Sequence, residues 1–379
     1  DKVAPVFSAT APATSTFVNN TKVSYTLSKA IASGTITWTG TSGPDNTVVR
    51  AQTLNAGAGE LSIGAHTNIT LNSPPTLVDG SVYTITFNGT DAAGNLAPTI
   101  TNTSVTYDVS APTTQNTVYA VSTTQLGGSS VTIASSGDIN NSVWFAPSGT
   151  TTFAAGATMT KAADGTSTTI LAPLTTGNYK LFVVDQAGNI SAESTATLTA
   201  VSAPSIAPSA VNFTNVTASS MTVNWTNGNG SRRMVIGRSG GAVTDTDPSN
   251  FTPYTASSDW NNGSPSGTII GNARVFYDGT ANSFSFTNLE LTTTYQFSVY
   301  EYNGASTATG VFNMTQATGS QTTIVQATNV VFTSPGTTTM TFGWTNGTGT
   351  NRIAIVKTNG AVFTPVNGTN YTPNTSFTG

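Results

Sequence analysis

The stretch WTNGNGSRRMVIGR at residues 225–238 returns as WTNGTGTNRIAIVK at residues 344–357. Trp225 and Trp344 lie 119 positions apart, a period that holds a whole β-sandwich domain. The chain therefore reads as a tandem array and not as one enlarged fold. Arrays of this kind set distance, stiffness and surface contact, and chemistry is the lesser expectation.

Away from the repeat, period-two alternation is nearly continuous. Thr35–Thr39, Val82–Phe87 and Tyr295–Tyr300 each place bulky residues on one face and small polar ones on the other. Gly, Asn, Asp and Pro interrupt these runs about every 8–12 residues, the spacing of a sandwich. No stretch has a convincing helical period. Ala154–Lys161 comes nearest, and Gly156 with its flanking threonines argues against it. The expected fold class is all-β, a tandem array of sandwiches.

Two modules at the front are related to each other. One opens Asp1-Lys2-Val3-Ala4-Pro5 and the next Asp108-Val109-Ser110-Ala111-Pro112. Each later has a Tyr-led strand followed by Asp-x-Ala-Gly-Asn: Tyr83 with Asp91–Asn95, and Tyr179 with Asp185–Asn189. Residues 1–107 and 108–200 are read as Ig-like sandwiches. After the connector Val201–Pro208, a third domain spans 201–322 and a fourth 323–379. The fourth stops near the position equivalent to Asp259, so by the repeat roughly 60 residues of strands are expected beyond it. The chain is expected to be a fragment of something longer, with completion of the last module by another chain as the lesser alternative.

The third domain resembles the fibronectin type III family. Trp225 sits where that family has its strand-B core Trp. Leu289-x-Leu291-x-Thr293-x-Tyr295-x-Phe297-x-Val299 matches the family's Leu-x-Pro-x-Thr-x-Tyr-x-Phe-x-Val signature, with Leu291 in place of Pro. The resemblance implies a tyrosine corner, in which the phenol closes a Greek-key connection. The repeat looks like the variant common in secreted proteins of the Bacteroidota. It covers about half the chain and speaks to fold far more than to activity.

Charged residues make up 7% of the chain against the usual quarter. With 37% hydrophobic residues and evenly spread aromatics, low charge here means a folded chain with a hydroxylated surface. A net charge of −4 offers no basic patch, which sets nucleic acid aside. There is no Cys, hence no disulfide, thiolate metal site or Cys nucleophile. No apolar run reaches the ~18 residues of a membrane span, so no membrane insertion is expected. The chain starts at Asp1 without a signal peptide and reads as a mature or excised segment, secreted or at a cell surface.

One constellation has physical content. In such a sandwich the Asp-x-Ala-Gly-Asn loop lies at the pole where the chain enters, placing Asp91 near Asp1 and Asp185 near Asp108. Paired carboxylates with turn carbonyls and Asn95 or Asn189 are oxygen ligands suited to calcium. The bland alternative is a pair of turn motifs. The paired motifs resemble Ig-like repeats of large bacterial adhesins, in some of which interdomain calcium stiffens the array. The connector before the third domain has no Asp and predicts a metal-free joint.

Catalysis finds little support. His66 is the only histidine and reads as a surface residue, so a Ser-His-Asp triad would rest wholly on it. A glycosidase pair would come from Asp245, Asp247, Asp259, Asp278, Glu290 or Glu301, several of them in turn contexts. Arg232 and Arg238 share one strand face and Arg233 takes the other. The first two are candidates for an acidic glycan or a partner's carboxylates, with pairing to nearby acids as the plainer role. Trp38, Trp144, Trp225 and Trp344 read as core. Trp260, in the loop of residues 258–263, is a candidate for stacking on a sugar. The expected function is a non-catalytic stalk or filament-building segment of an extracellular adhesin, with neighbouring copies or further domains as partners. Spacer domains of a secreted polysaccharide-degrading enzyme, or a carbohydrate-binding module, are the alternatives.

Overall fold

The computed structural model describes residues 1–243, 247–257, 259–263, 265–360, 362–366 and 369–374. The chain divides into two compact units, Asp1–Ser202 and Ala203–Gly379.

In the first unit, eight strands build a sandwich: β1 (Phe7–Ala11), β2 (Phe17–Val18), β3 (Val23–Leu27), β4 (Ser33–Ser42), β5 (Val49–Thr53), β6 (Gly64–Ile69), β7 (Ser81–Thr90) and β8 (Ile100–Tyr107). A three-stranded sheet, β1-β3-β6, faces a five-stranded one, β2-β8-β7-β4-β5. The long pair β4 and β7 sets the register, with Ile36 opposite Phe87 and Trp38 opposite Ile85. Alternation in β7 buries Tyr83, Ile85 and Phe87 and leaves Val82, Thr84 and Thr86 half exposed, as the sequence pattern requires. Each such burial stabilises by about 1.5–3 kcal/mol.

A second sandwich follows in the same unit. A one-turn helix, α1 (Gln115–Val118), precedes β9 (Thr123–Leu126), β10 (Ser130–Thr132), β11 (Ser142–Ala146), β12 (Thr160–Lys161), β13 (Thr169–Leu171), β14 (Gly177–Val184) and β15 (Leu198–Val201). Its sheets are β12-β11-β14-β15-β9 and β10-β13. Val143 and Phe145 of β11 face the inter-sheet core. Trp144 is buried on the other face, against Phe153, whose ring also meets Phe182, and with Lys161 Nζ 5.6 Å over its own ring.

The second unit holds β16 (Ser209–Thr214), β17 (Met221–Thr226), β18 (Arg232–Ser239), β19 (Ile269–Ile270), β20 (Ala273–Gly279), β21 (Ser283–Phe286), β22 (Thr294–Asn303), β23 (Val311–Phe312) and β24 (Ala317–Thr322). The sheet β16-β17-β21 faces β19-β20-β18-β22, with β23 and β24 both on the far edge of β22. Here β18 is covered on both faces. Val235 joins Trp225, Phe276, Tyr295 and Phe297 in the inter-sheet core, while Met234 and Ile236 join Val275, Tyr300, Tyr302 and Phe312. The tyrosine corner forms: the Glu290 backbone N–H donates to Tyr295 Oη at 2.7 Å. Leu291, at the position where the family signature has Pro, is exposed.

The repeat that decided the fold also explains its turn. A Cβ on Gly228 would sit 2.1 Å from the Ile206 carbonyl oxygen, and one on Gly347 would sit 1.9 Å from that of Val325. Only glycine lets the chain pass that close. Beyond this turn the copies part. Among the described residues, 323–374 contain two strands, β25 (Thr328–Thr333) and β26 (Thr341–Thr345), paired antiparallel. Trp344, expected in a core, is 39% exposed; its ring lies 5.9 Å from that of Phe342 and its Nε1 donates to Asn346 Oδ1 at 3.0 Å. The physical reason is that Trp225 is covered by a facing sheet, whereas no sheet faces β25 and β26 among the described residues.

Candidate functional site

The polar groups of the first unit converge at its two entry points. At the first, Lys29, just beyond β3, reaches back under Asp1. Its Nζ lies 2.5 Å from Asp1 Oδ2, 2.6 Å from Asp91 Oδ2 and 2.8 Å from the Val3 carbonyl oxygen. Asp91 Oδ1 accepts the N–H groups of Ala93 and Asn95, and its Oδ2 accepts the Asn95 amide at 2.9 Å. An open recess of about 350 Å³ is lined by Asp1, Lys29, Ala30 and residues 91–93. The structure brings Asp1, Asp91 and Asn95 together, with the Asn95 amide also 3.3 Å from the Asp1 carbonyl oxygen. Lys29, 62 positions from Asp91, was not announced by the sequence.

Asn95 and Lys29 hold the Asp91 carboxyl well below the usual carboxylate range. The sign follows from linkage: a depressed folded-state value stabilises above the ordinary value near 3.9, and that stability is lost as pH falls through the depressed value. Lys29→Gln should raise the Asp91 titration toward the ordinary range. Carboxyl-carbon NMR of the full chain checks it, and an unchanged Asp91 midpoint would mean that the ammonium contributes nothing.

The second entry point lies between the two sandwiches. Asp185 Oδ1 accepts the Asn189 backbone N–H, and Asn189 Nδ2 donates to Asp185 Oδ2 at 3.0 Å and to the Asp108 carbonyl oxygen at 2.8 Å. Asn189 Oδ1 in turn accepts from Asn19 of the first sandwich at 3.2 Å. Asp108 Oδ1 turns away to its own Ser110 N–H. As placed, the asparagine presents its NH₂ group, and not its oxygen, between the two aspartates.

A latch that the sequence did not announce sits beside it. Asp79, in the turn before β7, accepts the Val109 N–H at 2.7 Å and the Ser110 hydroxyl at 2.6 Å. The Asp108 N–H donates to the Val18 carbonyl oxygen at 2.9 Å. Three hydrogen bonds thus tie the opening of the second sandwich to the first, and the Asn19–Asn189 bond ties its entry loop. The Ser110 hydroxyl, followed by the Val109 N–H, keeps the Asp79 carboxyl below its ordinary value. The latch therefore holds above about pH 4 and is lost as pH drops through that lowered value. Asp79→Ala should make the Val109 amide exchange with solvent markedly faster in the full chain at neutral pH. Protection equal to wild type would mean the joint does not use it.

In the third sandwich the arginines divide as alternation required. Arg232 donates to Asp278 Oδ1 at 3.1 Å and to Tyr302 Oη at 2.7 Å, and the Tyr302 hydroxyl also bonds Asp278. Arg238 donates to the Ser239 and Ala242 carbonyl oxygens. Arg233, on the opposite face, forms a buried pair with Glu301, 2.8 Å from Nε to Oε1. Glu301 is 0% exposed, and its Oε1 also accepts the Gly228 N–H at 2.7 Å. Its Oε2 has no hydrogen-bond partner among the described residues. Arg233 falls on the face that alternation gave it, but its pairing with Glu301 was not legible in the sequence because the two lie 68 positions apart.

Trp260 requires a correction. It is 4% exposed, stacked on Phe276 at 5.0 Å and edge-on to Tyr295 at 4.7 Å. Its polar neighbours in sequence suggested a sugar platform, but the indole turns inward and closes one end of the third core. His66 stacks on Tyr25 at 4.5 Å, with Nε2 3.0 Å from the Ser62 carbonyl oxygen. The carboxylates of the third domain go to separate partners: Asp247 to the Tyr300 hydroxyl, Asp259 to the Asn288 amide, Asp278 to Arg232 and Glu301 to Arg233. Asp245 lies outside the described residues. No group of three or more His, Cys, Asp or Glu side chains suited to a metal occurs among the described residues.

Solved structures similar to the chain include the FN1–FN3 domains of chicken CNTN1, at 14% identity and TM-score 0.28, covering 81% of this chain and 95% of that one. Titin domains A168–A170 match at 13% identity and TM-score 0.30, covering 84% and 99%. A two-domain fibronectin type III segment of chicken tenascin matches at 11% identity and TM-score 0.19, covering 85% and 100%. No protein-family model and no curated protein matches the chain. The fold is legible in the chain's own topology, namely paired sheets that are antiparallel apart from the parallel edge strands β2 and β9, a tyrosine corner and the internal repeat. In fold the chain is an all-β tandem array of Ig-like and fibronectin type III-like β-sandwiches.

Proposed function

We propose that the chain is a non-catalytic, load-bearing segment of a large extracellular bacterial adhesin or surface fibre, acting as a stalk or filament-building repeat array. The observation that carries this reading is the joint of the first unit. There Asp79, Val18 and Asn19 bond directly to the start and the entry loop of the second sandwich, stiffening the link without a linker of Gly and Ser. The charge-poor, hydroxyl-rich surface supports it, since neighbouring chains can approach with little repulsion. The Bacteroidota-like repeat supports a secreted setting. No helix among the described residues is long and apolar enough to cross a membrane.

Calcium at the Asp108, Asp185 and Asn189 joint belongs to the same proposal, and it requires the Asn189 amide to turn its oxygen inward. At Asp1 and Asp91 the Lys29 ammonium already supplies the cation. Calcium titrated into the full chain should shift the Asn189 side-chain resonance and leave that of Asn95 in place. An unmoved Asn189 signal and melting temperature would remove the metal and leave the latch.

Electron microscopy of material from the source cell surface tests the main reading. Filaments or rods built of sandwich repeats are expected. Cleavage of a polysaccharide by this chain alone would overturn it.

A further inference from the structure

The wide sheet of the first sandwich ends in a free edge. Among the described residues, β5 (Val49–Thr53) pairs with β4 on one side and with no strand on the other. The Val48 carbonyl accepts the Gly40 N–H, and the Leu54 N–H donates to the Gly34 carbonyl. The even-numbered residues of this stretch thus direct their backbone groups at β4. Antiparallel pairing alternates, so the N–H and C=O groups of Val49, Ala51 and Thr53 point away from the sheet. The side chains of the same three residues are exposed, Val49 at 61%, with Val48 beside it at 40%.

Folded chains guard such an edge with a bulge, a proline, a short strand or an outward charge. Other edges of this chain are guarded: β1, β6 and β16 carry bulges, and β12 and β19 are two residues long. β5 runs five residues in unbroken register with neither Gly nor Pro. Its one charge is held elsewhere. Arg50 Nε and Nη2 donate to Asp45 Oδ2 and Oδ1 at 2.6 and 2.7 Å, and that buried carboxylate also accepts the Tyr83 hydroxyl.

We infer that β5 is the edge through which two copies of this chain pair, antiparallel and about a two-fold axis through Ala51. The strand is complementary to itself in that register. Val49 faces the partner's Thr53, a β-branched pair on the exposed face. Arg50 faces the partner's Gln52, so no like charges are opposed. The outward backbone groups of Val49, Ala51 and Thr53 fall on hydrogen-bonded positions, two bonds for each of three facing pairs. The two five-stranded sheets become one. This pairing rests on the filament-building reading above and names the edge that neighbours share. One such contact covers less than the roughly 1,200 Å² of a stable complex, so single chains associate weakly and arrays in register hold by avidity.

The chain has no Cys, so Ala51→Cys in the full chain puts its only thiol on the axis. Directly opposed residues of such a pair have Cα atoms about 5.5 Å apart, within disulfide range, whereas Thr53 and its own copy stand more than about 13 Å apart. Oxidation at high chain concentration should trap Ala51→Cys as a dimer at least about tenfold faster than Thr53→Cys. By sedimentation, Ala51→Lys and Ala51→Glu should each lose the concentration-dependent dimer of the wild type. An equimolar mixture of the two should regain it, because opposite charges then face each other. Equal trapping at both cysteine positions, or charge variants that associate as the wild type does, would overturn the inference. So would a wild-type chain that stays monomeric at every concentration; filaments seen by microscopy beside that result would keep the array reading and place its contact elsewhere.

Discussion

Trp260→Ala should destabilise the third sandwich by about 3–5 kcal/mol, the range for truncating a large buried aromatic. The indole contacts Phe276 face to face and Tyr295 edge to face, so its loss opens a cavity beside the tyrosine corner. The loss is one of packing alone, because Trp260 Nε1 has no hydrogen-bond partner among the described residues and none is given up when the indole is removed. Hydrogen exchange of the full chain should show weakened protection in β17, β20 and β22, with the first unit unchanged. The same variant separates the two roles considered for this residue. A sugar platform would lose glycan binding with stability intact. A core residue loses stability, and Trp260→Phe recovers part of it.

Arg233→Met should cost a similar amount, about 3–5 kcal/mol, because it strands Glu301 as an uncompensated carboxylate in the core. Glu301 is wholly buried and keeps only the Gly228 N–H. The double variant Arg233→Met with Glu301→Leu should recover most of the loss, since well-packed apolar side chains often replace a buried pair at little net cost. Denaturant unfolding of the full chain, read out by exchange at β18 and β22, measures both. A single variant as stable as wild type would mean that water reaches the carboxylate. A double variant as unstable as the single would assign the loss to packing around the arginine stem.

What was legible in the sequence was local or repeated. Period-two alternation gave β4, β7 and β22, and the Leu289–Val299 signature gave the Tyr295 hydrogen bond to the Glu290 N–H. The Asp-x-Ala-Gly-Asn loops fold as self-bonded turns, with Asp91 and Asp185 each holding the asparagine four positions on. Arg232 and Arg233 fell on the faces that alternation assigned. What stayed hidden was set by long-range partners. Lys29 finds Asp91, Arg233 finds Glu301 and Asp79 finds Val109 across tens of residues, and no local pattern encodes such a meeting. Trp260 misled because its neighbours in sequence are polar, while Phe276 and Tyr295 decide its surroundings. Trp344 misled in the opposite way: the strand pattern is right, but burial needs a second layer.

Among the described residues, Lys29, Arg50, Arg232 and Arg233 are engaged in ion pairs within the sandwiches. These pairs neutralise part of a charge content that is only 7% of the chain, so its counter-ion cloud is thin. Contacts through such a surface have little for dissolved salt to screen. Its grip on a neighbour should therefore hold almost equally in dilute and in briny surroundings, whereas a charge-steered adhesive would loosen as the medium becomes more saline.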